Sequence, residues 1–248
     1  MSGSARAVVV TGAASGIGRA IAARLVADGD SVLAVDRTPD PGGPGLPFAA
    51  DLATREGNKA AVEAALAAFG RLDAVIANAG FQHVAPIADF PEERWDALLA
   101  VLLTSPFLLA KYAWPSLVAS GRGRFLVIAS VHGLVASPYK AAYVSAKHGA
   151  LGLVKTLALE GAADGIVSAA ICPGYVRTPL VESQIADQAR IHGISEDEVT
   201  RQVLLARQAI KEMVEPDDVA ALAAFVLGPE GRSLTGSPIV MGNGWLAS

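Results

Sequence analysis

Residues 7–19 read AVVVTGAASGIGR. A β-prone run, AVVVT (7–11), passes directly into a glycine-rich turn and then into helical spacing from about Ile17 to Ala27. Gly12, Gly16 and Gly18 therefore fall at a strand-to-helix junction. At such a junction the first backbone N–H groups of the helix lack partners and can meet an anion such as a pyrophosphate. Taken alone, the same glycines also describe an ordinary tight turn. The surrounding chain decides between the two readings.

Outward from this stretch, short apolar runs alternate with longer helical patterns. SVLAVD (31–36), PFAAD (47–51), LDAVIANAG (72–80), RFLVIAS (124–130), IVSAAICPG (166–174) and SPIVM (237–241) read as strands. Helices are expected near 54–69, 91–118, 138–160 and 216–227, with one or two more in the polar stretch 175–212. The alternation predicts an α/β fold, a doubly wound parallel sheet of Rossmann-like type covered on both faces. No repeat, low-complexity segment or linker interrupts the pattern, so residues 1–248 read as a single dinucleotide-binding domain. Ligands of such sheets bind at the C-terminal ends of the strands.

Bulk composition narrows the function classes. Of 248 residues, 52% are hydrophobic and 18% charged, which indicates a folded chain. The net charge is −4 and no Lys/Arg run occurs, which argues against a nucleic-acid surface. A single cysteine, Cys172, excludes an intramolecular disulfide and a Cys-rich metal site, and no metal is called for. The N-terminus lacks the apolar core of a signal peptide. The most apolar segment, ALLAVLLTSPFLLA (97–110), is read as too short and interrupted to span a bilayer. A cytoplasmic protein without nucleic-acid or membrane partners is expected.

Two further features carry chemistry. Asp36 ends the second strand near the offset of about 20 residues expected for a ribose-binding acid. Its carboxylate suits ribose hydroxyls and repels a 2′-phosphate, which favours NAD over NADP; Arg37 beside it points the other way. The segment SVHGLVASPYKAAYVSAK (130–147) is poor in charge yet holds Ser130, His132, Lys140, Tyr143 and Lys147. If 138–147 is helical, Lys140, Tyr143 and Lys147 share one face. A purely structural helix gains little from two ammonium groups flanking a phenol.

Taken in order, TGAASGIG (11–18), NAG (78–80), Ser130, YVSAK (143–147) and PGYVRT (173–178) resemble the short-chain dehydrogenase/reductase family over nearly the whole chain. The resemblance implies that Tyr143 is the acid–base group, that Lys147 and the bound cofactor lower its pKa, and that Ser130 holds the substrate oxygen. It implies a cofactor site comprising Gly12, Ser15, Gly16, Ile17, Gly18, Asp36, Asp51, Asn78, Gly80, Tyr143, Lys147, Pro173 and Thr178. Within it, Asp51 contacts adenine, Thr178 the carboxamide and Lys147 the nicotinamide ribose. One position departs from the pattern: Leu102 falls where the family usually has an Asn completing a proton relay to the lysine.

NAGFQHVAPI (78–87), HGLVASPYKAAYVSAKHG (132–149), ICPGYVRTPLVESQI (171–185) and GNGW (242–245) further resemble the 3-hydroxybutyrate dehydrogenase group of that family. That resemblance implies a substrate carboxylate gripped by Gln82, His132, Lys140 and Gln184, an NAD-dependent reaction on a short 3-hydroxy acid or its keto acid, and a homotetramer. Tyr175 replaces the usual Trp after Pro173–Gly174, VMGNG (240–244) replaces the usual Val-Asp-Gly-Gly pattern, and Trp245 is kept. His83 is read as an entrance residue, and His148 and His192 as surface. Two alternatives stay open: a family member acting on another alcohol, such as a sugar, steroid or acyl thioester, and a cofactor-binding protein without turnover.

Overall fold

Side chains alternate across a strand, so Val8 and Val10 of β1 (Ala7–Thr11) face one way and Val9 the other. All three are fully buried, which requires a layer of helices on each side. The computed structural model, which describes residues 5–247 apart from 180, 183–184, 186–188 and 190–192, has that arrangement. In chain order it contains β1, α1 (Gly16–Ala27), β2 (Ser31–Asp36), β3 (Leu46–Ala49), α2 (Arg55–Phe69), β4 (Ala74–Ala77) and α3 (Glu92–Leu99). There follow α4 (Ser105–Ser120), β5 (Arg124–Ile128), α5 (Ala141–Glu160), β6 (Val167–Pro173), α6 (Glu196–Val199), α7 (Pro216–Leu227) and β7 (Pro238–Met241).

The seven strands form one parallel sheet in the order β3-β2-β1-β4-β5-β6-β7. Val9, Val75, Phe125 and Val127 pack against Val62 of α2, Leu109 and Leu117 of α4, and Leu151 and Val154 of α5. On the opposite face Val8, Val10, Ile76 and Leu126 meet Ile21 and Leu25 of α1 and Val219 and Ala223 of α7. The strand order reverses between β1 and β4. The segments that follow these two strands diverge there and open a crevice at their C-terminal ends.

Two expectations are corrected. Helix α5 begins at Ala141, not near 138, and Lys140 is its N-cap at φ −123°, ψ 35°. Tyr139, at φ 67°, interrupts the helical path just before it. Lys140 therefore does not share a helix face with Tyr143 and Lys147. The apolar run 97–110 lies inside the long helix expected near 91–118, and that helix is longer than the run judged too short to span a bilayer. Helix α3 continues through one π turn, Ala100–Thr104, into α4, giving 29 residues from Glu92 to Ser120 that are long and apolar enough to cross a membrane by length and composition. In this fold that helix is a core element, packed against α2, α5, β4 and β5 with Leu108, Leu109, Ala113 and Leu117 buried.

Candidate active site

The crevice floor is built by tying two strand ends together. Thr11 Oγ1, buried at the end of β1, accepts hydrogen bonds from the backbone N–H groups of Asn78 and Ala79, each at 3.0 Å. The Asn78 amide returns the link by donating to the carbonyls of Thr11 at 2.8 Å and Gly12 at 3.3 Å. Gly12 lies at φ 67°, and a Cβ there would approach Ala79 Cα to 2.8 Å. A Cβ on Gly18 would sit 2.1 Å from the Gly12 carbonyl oxygen, so only glycine lets the first turn of α1 close onto the loop. Ser15, the N-cap of α1, makes no side-chain cap bond, and with Gly12, Gly16 and Ile17 it lines the crevice.

At the far end, Asp36 accepts hydrogen bonds from the amides of Ala14 at 3.2 Å and Thr38 at 3.1 Å, and it lines the crevice beside Arg37 and Asp51. The segment carrying Asp51 is anchored from below. Buried Asn58 donates to the carbonyls of Leu52 at 2.9 Å and Thr54 at 2.6 Å, and Ser105 of α4 donates to Asn58 at 2.6 Å. Thr11, Asn58 and Ser105 were not singled out from the sequence, because a buried threonine, asparagine or serine carries no local signal of its long-range partner.

Ser130, Tyr143 and Lys147 converge where the crevice meets a smaller pocket. Tyr143 lines both cavities. Burial dominates at its hydroxyl and pushes the phenol up to about 12, with nearby Ser130 acting the other way. Lys147 Nζ donates to the Ile128 carbonyl at 2.7 Å and sits 5.6 Å from the Tyr143 ring centre. Burial also pulls the Lys147 ammonium down to about 8, so it stays mostly protonated at neutral pH. The chain alone therefore does not lower the phenol. Cys172, behind this site in β6, is held as a thiol by burial, its pKa raised to about 11.

Leu102 lies in the π turn with 2% exposure, clustered with Leu98, Ala142, Ala146 and Tyr143. Its Cδ2 comes within 2.7 Å of where a Cβ on Gly80 would stand, so Gly80 is needed for the two segments to meet. Carbon atoms thus occupy the position where the family pattern has an amide.

The smaller pocket is lined by Gln82, Ser130, His132, Lys140, Tyr143, Pro173, Tyr175, Thr178 and Trp245, among others. Three of the four residues singled out for a carboxylate therefore come together; Gln184 and also His192 lie outside the described residues. Lys140 reaches Tyr175 Oη at 3.4 Å and lies 5.5 Å from that ring's centre, and it forms no ion pair among the described residues. Burial lowers the Lys140 pKa. Gln82 Nε2 is buried without a hydrogen-bond partner among the described residues. Tyr175 stacks on Trp245 at 5.6 Å and 26°, forming an aromatic wall. His132 is neutral, its pKa lowered to about 4 first by burial and then by the positive charge of Lys140. His83 packs edge-on to Phe90, and His148 is exposed on α5, with Nδ1 facing the Val144 carbonyl.

Of the cofactor residues expected from the sequence, all but Gly18 and Pro173 line the larger crevice. Pro173 lines the pocket, and Gly18 lies beneath the glycine-rich loop.

The pattern describing the short chain dehydrogenases matches residues 6–189. A D-beta-hydroxybutyrate dehydrogenase of Rhizobium meliloti is 44% identical over 256 residues, covering 98% of this chain and 99% of that protein. One of the same name from Cupriavidus necator is 39% identical, covering 98% of each. Among solved structures, the Thermoplasma acidophilum aldohexose dehydrogenase superposes with a TM-score of 0.91 at 26% identity, covering 98% of this chain and 95% of that one. Levodione reductase superposes with a TM-score of 0.89 at 28% identity, covering 98% of each chain. Sequence and fold agree over the full breadth of the sheet, and this chain belongs to the short-chain dehydrogenase family.

Proposed function

We propose that this chain is an NAD-dependent dehydrogenase that interconverts a short 3-hydroxy acid, 3-hydroxybutyrate or a close analogue, and its 3-keto acid. The observation that carries the reading is Lys140. Its half-buried ammonium lacks a carboxylate partner among the described residues, and Lys140 lines the pocket that holds Ser130 and Tyr143. A half-buried cation whose partners are a hydroxyl and an aromatic ring is not neutralised, and a carboxylate ligand would neutralise it. The orphan Gln82 amide supports the same anionic end. The names of the Rhizobium and Cupriavidus relatives point the same way.

The residues present fit a dinucleotide. Unpaired first-turn amides of α1 suit its pyrophosphate, and Asp36 suits an unphosphorylated ribose. Bound there, NAD supplies the hydride acceptor and a positive charge beside Tyr143. The chain's own part is then positional and protic. Ser130 holds the substrate oxygen, Tyr143 takes the hydroxyl proton as phenolate, and Lys147 stays protonated near the ring. Bringing a phenol from about 12 to neutrality needs roughly 6–7 kcal/mol of differential interaction. The positive charge of the bound nicotinamide would act on the phenol in a water-poor cleft, where such interactions are strongest.

We place the protein in the cytoplasm as a single-domain homo-oligomer, a tetramer by resemblance. Exposed Phe107, Leu159, Phe225 and Val240 support association. A second reading, oxidation of a different alcohol, is favoured by Tyr175, whose hydroxyl adds a polar group to the pocket wall. NADH formation from 3-hydroxybutyrate, set against neutral alcohols and sugars, separates the two. Turnover of the hydroxy acid no better than the neutral compounds refutes the first reading.

A further inference from the structure

A wall that only excludes water needs no hydroxyl, yet the wall residue Tyr175 carries one beside the pocket's lysine. Its backbone is fixed at both ends of the turn that follows β6. The Val214 N–H donates to the Tyr175 carbonyl and the Gly174 N–H to the Met241 carbonyl, each at 2.9 Å. Its ring is fixed by the stack on Trp245, with the planes 26° from parallel. The hydroxyl then stands 3.4 Å from Lys140 Nζ, and the ammonium lies 5.5 Å from the ring centre. At that distance the phenol oxygen accepts from the ammonium and keeps its own proton for another acceptor. Burial raises the Tyr175 pKa, so the proton stays on at neutral pH. Neither the hydroxyl nor the ammonium has another hydrogen-bond partner among the described residues. No Asp or Glu among the described residues lines this pocket, so no carboxylate of the pocket wall accepts from either donor.

We propose that the Tyr175 hydroxyl is a further ligand of the substrate carboxylate, donating to one of its oxygens while Lys140 donates to the other. The proposal rests on the hydroxy-acid reading and adds to it a group that the reading leaves out. Two donors side by side suit the paired oxygens of a carboxylate, and bonds to an ionised acceptor are the stronger kind. The two side chains divide the work. A stacked tyrosine loses little freedom on being fixed, whereas a lysine carries a long flexible stem. The ordered phenol therefore gives the mobile ammonium a place to rest between turnovers, without neutralising it. A neutral end group on the substrate leaves both donors without a charged acceptor, so the pair selects for an anion.

Tyr175→Phe in the whole enzyme removes the oxygen and keeps the ring that stacks on Trp245. Butyrate, which has the carboxylate but no hydroxyl to oxidise, is the dead-end probe with NAD present. Its inhibition constant against 3-hydroxybutyrate should rise about 10- to 100-fold in the variant, the range for losing a hydrogen bond to a charged group. KM for 3-hydroxybutyrate should rise with it while kcat holds, because the contact is made equally in ground and transition states. A neutral secondary alcohol of similar size should lose much less. In a Lys140→Ala background, Tyr175→Phe should still weaken butyrate inhibition, since the hydroxyl touches the carboxylate itself. If that further loss vanishes, the hydroxyl only steadies Lys140 and the proposal is overturned. Wild-type butyrate inhibition in Tyr175→Phe overturns it too, as does a kcat loss shared equally by acidic and neutral substrates. The wild type separates the two levels. If it oxidises the hydroxy acid no better than neutral alcohols, the hydroxy-acid reading has failed and the proposal falls with it. If it prefers the acid and Tyr175→Phe behaves the same, only the role of Tyr175 has failed.

Discussion

Burying a histidine in neutral form ties stability to pH. His132 is held at about 4 in the fold, against an ordinary value near 6.5 in an unfolded chain. Below pH 6.5 the unfolded chain takes up a proton that the folded one refuses, so acid favours unfolding. Stability that is full above pH 6.5 is lost as pH falls toward 4. Linkage with these two values gives a loss of about 2 kcal/mol between pH 7 and pH 5. For a chain of this length that lowers the unfolding midpoint by about 4–8 °C. The buried Asp73 carboxyl is held below its ordinary value by Ala7 N–H, Arg71 and Arg122 against the opposing cost of burial, so its own loss comes at lower pH and leaves this window clear. The assay is thermal unfolding at a fixed protein concentration from pH 7 to pH 5, for wild type and His132→Gln. The variant's profile should be flatter by about the calculated amount. Parallel profiles would refute the claim that His132 is buried neutral.

Three further outcomes follow from the site. Asp36→Ala should lower the preference for NAD over NADP, read as the ratio of kcat/KM values; an unchanged ratio removes Asp36 from cofactor choice. Tyr143→Phe should lower kcat by about two to four orders of magnitude while NAD binding, followed by fluorescence, is kept. Gly18→Ala places a methyl group 2.1 Å from the Gly12 carbonyl oxygen, so calorimetry should show weakened NAD binding; wild-type affinity would mean the loop need not close on α1 as it does here.

Much of the architecture was legible in the sequence because it rests on short-range pattern. Runs such as AVVVT and RFLVI are apolar on both strand faces, and the glycines after β1 sit where the chain turns from strand into helix. What escaped depends on backbone detail and on distant partners. Nothing in SPYK (137–140) shows that Tyr139 takes a positive φ and holds Lys140 outside the helix. The long helix expected near 91–118 forms, but nothing in its sequence marks the π turn at Ala100–Thr104. Lys147 stands near the phenol ring as its spacing suggests, but its bond to a carbonyl on β5 and the desolvation of Tyr143 are encoded by no motif. The four proposed carboxylate residues lie up to about a hundred positions apart, so only the fold brings Gln82 beside Lys140.

The central claim is that the Lys140 ammonium, in the pocket that Tyr143 also lines, receives a carboxylate, and one comparison tests it most directly. In Lys140→Ala, kcat/KM with NAD is measured for 3-hydroxybutyrate and for a neutral secondary alcohol of similar size. A charge-assisted contact of roughly 1.5–3 kcal/mol predicts a loss of about ten- to a hundredfold for the acid. The neutral alcohol, which never used the ammonium, should lose much less. Equal losses on both substrates would contradict the assignment of Lys140 as the carboxylate ligand and, with it, the hydroxy-acid reading.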